Sequence, residues 1–242
     1  MMIRFATKLN HQLKISSSPE STPQKIWNYL KGIVRAIARI MIEILFRLAI
    51  NLFDTLFGFL KWPRKKLRIK ILILKASNGC PILLPTDLDV AITYAKESLM
   101  KNFNVTLLSL EHEQFVDVAE SIAPDETLYT KGGLGALGEE FRTTGSFFAA
   151  SLRESFFPVT AFVVIDIAGA TGCSLGPLTD YVTLDITGAK NDSTLVHEIA
   201  HACGLWHVKR RSNLLYRNKS RGNEVNWWQK CIFRSSRHIT YW

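Results

Sequence analysis

The sequence predicts an α/β fold of the α+β kind, strands of one sheet with helices between them, preceded by a long amphipathic and hydrophobic helix. Three observations carry this reading. Residues 67–110 run strand, helix, strand. Two further strand-like runs, 160–168 and 181–186, lead into a helix dense in histidine. Residues 26–62 hold no proline and are rich in Ile, Leu and Phe, with charges confined to one stripe.

Residues 1–25 are polar, with Ser16-Ser17-Ser18-Pro19 and Thr22-Pro23, and read as a flexible N-terminal segment. The first apolar stretch starts too late for a signal peptide and lacks a small-residue cleavage site.

Residues 26–62 form the second unit. At 100° per residue, Arg35, Arg39, Glu43, Arg47 and Asp54 fall within about 120° of one another. Three readings stand side by side. The helix lies in a membrane interface with its basic residues at the headgroups. It spans the bilayer over residues 40–61, at a cost of roughly 2.5–3.5 kcal/mol for each central charge. Or it packs on its own domain or on a partner.

Residues 63–242 form the third unit. Pro63 ends the helix, and Leu67–Ala76 is a strand with a continuous apolar end. Asp87–Asn102 is helical, with Thr86 or Asp87 as cap. Asn104–Leu110 is a strand that pairs parallel to the first. Residues 111–159 carry no clear pattern. Gly132-Gly133-Leu134-Gly135 reads as a turn and 139–157 as a helix that could shape a cleft. Thr160–Ala168 is a buried strand. After the glycine-rich loop Gly169–Pro177, Tyr181–Ile186 alternates and reads as the edge strand. Asp192 or Ser193 caps the helix that follows. Trp227-Trp228-Gln229-Lys230 reads as a face of a short helix, with the tryptophans in the core.

The net charge of +9 is uneven. Residues 1–70 carry +11, residues 71–208 carry −10 and residues 209–242 carry +8. The basic excess lies at the ends rather than on the folded centre, which argues against a nucleic-acid surface and fits a membrane-surface element. The tail after His207 reads as a solvated basic face, and His238 as a surface or structural histidine. Cys80, Cys173, Cys203 and Cys231 include no C-x-x-C pair, so a second metal site is not expected. They could pair as Cys80–Cys173 and Cys203–Cys231, or all remain reduced.

The chemistry concentrates in His197-Glu198-Ile199-Ala200-His201-Ala202-Cys203-Gly204-Leu205-Trp206-His207, which reads H-E-x-x-H-x-x-G-x-x-H. Residues four apart share a helix face, so His197 and His201 converge. Gly204 can end the helix in a left-handed conformation and bring back His207. Three imidazoles leave a fourth position open on Zn²⁺, the mark of a catalytic rather than structural ion. Glu198 is placed to serve as general base.

On these residues the chain resembles the metzincin-type zinc metallopeptidases. The resemblance implies a twisted sheet, an active-site helix carrying two zinc ligands, and a short C-terminal subdomain beginning with the third. It covers about residues 67–235. It also implies a methionine turn beneath the metal. Here Ser212-Asn213-Leu214-Leu215-Tyr216 is the candidate, with Leu215 in the methionine's place and Tyr216 beside it. Leu for Met conserves volume and polarity. Edge strands of such enzymes bind peptide as an added strand, which makes Asp180, Tyr181, Val182, Thr183 and Leu184 candidate substrate contacts.

The expected activity is zinc-dependent endopeptidase hydrolysis of a protein or peptide substrate. The expected location is a membrane surface, peripheral or single-pass, through residues 26–62. The alternative is a non-catalytic, membrane-associated zinc protein acting through its N-terminal helix. The intact Glu198 weighs against that alternative, since a structural ion has no use for a base.

Overall fold

Ten residues, Lys65–Leu74, which alternate in polarity up to Lys70 and are apolar after it, form the strand on which the domain is built (β1). Leu67, Ile69, Ile71 and Ile73 point into the larger apolar cluster, while Leu72 and Leu74 point into a smaller one on the opposite face. In this computed structural model the described residues are 22–76, 78–109, 115–119, 158–167 and 169–241. The flexible segment before Thr22, the Gly132–Gly135 turn and the helix expected over 139–157 lie outside them.

Along one edge of β1 lie Val105–Ser109 (β2) and then Val116–Ala119 (β3), both parallel. Along the other lies Val159–Val164 (β4), also parallel, with Ile239–Thr240 (β7) antiparallel beside Lys66 and Leu67. Next to β4 comes Tyr181–Asp185 (β6), parallel, and then Gly172–Ser174 (β5), antiparallel. The sheet order is β2-β1-β4-β6-β5. The fold is therefore mixed α/β with a mostly parallel sheet.

One expectation is corrected here. Tyr181–Asp185 is not the edge strand, because Gly172–Ser174 pairs with Val182–Leu184 on its outer side. The edge belongs to three residues within the glycine-rich loop.

The helices cover the face bearing Leu67, Ile69, Ile71 and Ile73. Asp89–Phe103 (α3) follows a 3-10 turn at Pro85–Leu88. The proposed cap Asp87 accepts instead from the Leu84 N–H, one turn earlier. A short helix, Ile186–Lys190 (α4), precedes Thr194–Ala202 (α5), and Trp227–Ser235 (α6) follows. Phe103 of α3 stacks on Phe233 of α6, ring centres 4.0 Å apart. Neither Asp192 nor Ser193 caps α5 by its side chain. Asn191 does the local work: its Oδ1 accepts from the Ser193 N–H and from the hydroxyls of Ser193 and Thr194.

The N-terminal helix, Thr22–Leu45 (α1), passes through a π turn at Phe46–Ile50 into Leu52–Phe57 (α2). It packs on its own domain with its charged stripe inward. Glu43 accepts from the Arg237 backbone N–H and ion-pairs with Arg237 and Arg47. Arg39 pairs with Asp180 at 3.0 Å. Asp54 binds both Lys65, at 3.0 Å, and Arg234, at 2.7 Å. The C-terminal basic residues are thus not all solvated: Arg234 and Arg237 are among the largest fully buried side chains. His238 is buried as well, near Asp180. Trp227 and Trp228, expected in the core, are exposed. Among the described residues, no helix is long and apolar enough to cross a membrane.

Candidate metal centre

Helix α5 starts at Thr194 and stops at Ala202, because Gly204 takes φ +93°, open to glycine at little cost. The Gly204 N–H reaches the His201 carbonyl and the Leu205 N–H the Ala200 carbonyl, closing the helix end. The chain reverses there and returns His207 toward the helix.

The three imidazoles meet. His197 Nε2 lies 3.1 Å from His201 Nε2 and 3.2 Å from His207 Nε2, and the remaining pair is 3.1 Å apart. The other ring nitrogens fix the orientation of two of them. His197 Nδ1 lies 2.8 Å from the Leu214 carbonyl and His201 Nδ1 2.7 Å from that of Leu205. A carbonyl only accepts, so each Nδ1 carries the proton and each Nε2 points a lone pair at the common centre. Lone pairs packed this closely repel unless a cation lies among them. Nitrogens at this spacing can all reach one ion at the usual zinc–nitrogen distance of about 2.0–2.1 Å. The donor set therefore fits a metal ion, and these three residues are the ones that could hold it.

Electrostatics favour the same state. The His197 pKa is pushed down to about 2, first by burial, then by the fields of His201 and Arg221. A neutral imidazole is the form that binds metal.

The turn beneath the site is built from Asn213. Its Oδ1 accepts from the Leu215 N–H at 2.8 Å, and its Nδ2 donates to Gln229 of α6 at 2.8 Å. This aims the Leu214 carbonyl at His197. Leu215 is fully buried in the main core, and its carbonyl accepts from the Val208 N–H, tying the turn to the residue after His207. Tyr216 is half-buried and closes the turn through its backbone N–H to the Asn213 carbonyl. Asn213 carried no signal in the sequence, since its effect passes through a neighbour's carbonyl. Asn213→Ala is expected to weaken metal binding about tenfold, the low end of the range for groups that orient ligands. Competition with a chelator of known affinity measures it; unchanged affinity would show that the turn holds without its side-chain bonds.

Glu198 is buried on α5, one residue after His197. Its carboxylate lies against β5. A Cβ added to Gly172 would come within 2.6 Å of Glu198 Oε1 and 2.8 Å of its Cγ, so only glycine leaves room for this rotamer. The contact joins residues 26 positions apart and could not be seen in a local motif. Arg221, half-buried, acts electrostatically on both His197 and Glu198. Burial lowers its pKa, and the carboxylates of Glu198 and Asp192 oppose that shift.

The expected substrate strand is placed differently. Burial works against the charge of Asp180, but Arg237, His238 and Arg39 outweigh it and hold its pKa low. Its carboxylate is engaged by Arg237 and Arg39. Tyr181, Val182, Thr183 and Leu184 are buried between β4 and β5. Among the described residues, the edge strand on this side is Gly172–Ser174.

All four cysteines are free thiols. Burial, with the charge of Glu43, pushes Cys203 up to about 12, so it is inert at neutral pH.

No protein-family model matches the chain, and no curated protein matches it. Among solved structures it is similar to the crystal structure of metalloproteinase-II from Bacteroides fragilis, at 17% identity and a TM-score of 0.43. The match covers 66% of this chain and 49% of that one, so the chain spans about half the length of its neighbour. The case for the centre is its own geometry: three histidines, brought together by α5 and the turn after it, that could hold a metal ion.

Proposed function

We propose that this protein is a zinc-dependent endopeptidase of the metzincin type. The observation that carries the reading is the convergence of three Nε2 atoms, two with their second nitrogen pinned, beside a buried glutamate on the same helix. A bound zinc ion would supply Lewis acidity and make a water acidic enough to attack near neutral pH. The chain's own residues do the rest. Glu198 accepts the proton of the attacking water and passes it to the leaving amine. Gly172 keeps the carboxylate in place, with Arg221 acting on it electrostatically. The outer side of β5, the last of the described strands, receives the substrate backbone beside Glu198.

Gly172→Ala is expected to lower turnover at least tenfold, the scale of about 1.4 kcal/mol lost from the transition state, with metal content unchanged. In a Glu198→Gln background the same change should have little further effect, because both act on one carboxylate. Full additivity would place Gly172 in some other role.

The proposal is tested by metal analysis and hydrolysis of a peptide mixture by the full chain. About one zinc per chain is expected, with cleavage lost on chelation and restored by zinc. Stoichiometric zinc with no cleavage of any peptide or protein substrate would turn the reading toward a non-catalytic zinc protein.

A further inference from the structure

The segment from Ile26 to Trp62 is inside out relative to an ordinary surface helix. Its acidic residues are buried, Glu43 at 4% and Asp54 at 0% exposure. Its apolar side chains face outward: nineteen large ones are 38–67% exposed. Lys31 is the one exposed charged residue in this span. A water-soluble monomer seldom presents an apolar patch beyond a few hundred Å², and this one is on the order of 1,000 Å² or more. The patch continues onto α6. Phe59 meets Trp227 edge-on at 6.3 Å, and Trp227 meets Trp228 at 5.8 Å. Phe53 contacts Trp62 at 6.4 Å and Phe57 at 5.5 Å.

We propose that this face seats the protein in the interface of an anionic lipid bilayer, with the helix lying in the membrane plane. Three features select lipid over a protein partner. A protein interface carries about one hydrogen bond per 100–200 Å², and this face offers almost no polar group to make them. Four exposed tryptophans, Trp27, Trp62, Trp227 and Trp228, border it, and indole favours the lipid–water boundary. The charge is right for anionic headgroups: Lys31 and Arg64 are exposed and Lys61 partly so, while the two acids of the helix are neutralised inside the domain by Arg47, Arg237, Lys65 and Arg234. The buried charges also fix the mode. They anchor the helix along the domain through Asp54–Lys65, Glu43–Arg237 and Arg39–Asp180, so it lies on the bilayer instead of crossing it.

Flotation of the full chain with vesicles of phosphatidylcholine, with and without phosphatidylglycerol, tests this. Binding is expected to the mixed vesicles, weaker to phosphatidylcholine alone, and weaker with added salt. Brominated lipid should quench the tryptophan emission. Ile44→Glu with Leu48→Glu, both on the exposed face, should reduce binding at least tenfold with metal content retained. Absence of flotation and of quenching by the unaltered chain would overturn the proposal. So would a stable dimer or protein complex that the two substitutions dissolve while vesicles remain unbound. Equal binding by the double variant would move the contact elsewhere and overturn it too. The unaltered chain and its quenching decide the matter if the variant does not fold.

Discussion

Glu198→Gln is expected to lower peptide hydrolysis by roughly 10²–10⁴-fold, the contribution typical of a positioned general base, with about one metal ion still bound. The two halves of this result have separate causes. Glutamine has the size of glutamate, so packing against Gly172 and the start of α5 survives. It cannot accept a proton from water at neutral pH. Metal retention is expected because the three converging Nε2 atoms, and the Leu214 and Leu205 carbonyls that orient two of the rings, do not involve residue 198. The loss should fall on kcat more than on KM, since proton transfer belongs to the transition state. Steady-state kinetics beside metal analysis separates the outcomes. If the variant cleaves at the full rate, another group moves the proton. If it loses the metal, Glu198 is a structural part of the centre.

The centre was open to reading because its constraints are local. Four-residue spacing, a left-handed glycine and a returning histidine all lie within eleven residues, and helix geometry alone turns that spacing into convergence. The strands β1, β2, β4 and β6 were recognisable for the same reason, as runs of apolar residues. What escaped depends on contacts distant in sequence. Strand β5 is three residues in a glycine-rich loop, too short for any period, and it takes the edge from β6. Gly172 matters only because Glu198 lies against it. The helix stripe was visible, but periodicity has no sign. It shows that Arg39, Glu43, Arg47 and Asp54 share a face, not whether that face meets water. The answer lay in Arg234 and Arg237, which read as a solvated tail and are the buried partners of that stripe.

Asp54→Ala should be the most destabilising single change in this interface, costing about 3–5 kcal/mol, because it leaves buried cations without their carboxylate. Asp54 Oδ1 accepts from Arg234 Nε at 2.7 Å, and Oδ2 accepts from Lys65 Nζ at 3.0 Å and from the Tyr241 hydroxyl at 2.5 Å. Arg234 keeps the carbonyls of Phe103 and Pro63, and Lys65 keeps Asn51 Oδ1 and the Arg234 carbonyl, so hydrogen bonds remain but the counter-charge does not. The two cations respond differently. An arginine side chain is not a proton donor at ordinary pH, whereas a buried lysine can be. Lys65 already has its pKa lowered to about 8, by burial first, with Asp54 opposing that shift and Arg234 adding to it. A folded-state value below the unfolded one means that the unfolded chain binds more protons between them, so stability rises with pH across that window. Removing Asp54 lowers the folded value further and widens the window downward. The variant should therefore be most destabilised relative to the unaltered chain near pH 6 and recover part of the difference near pH 8. Denaturant titrations at the two pH values measure both quantities. A loss under about 1 kcal/mol, or one equal at both pH values, would show that the Asp54 network neither holds the helix to β1 nor sustains the charge on Lys65.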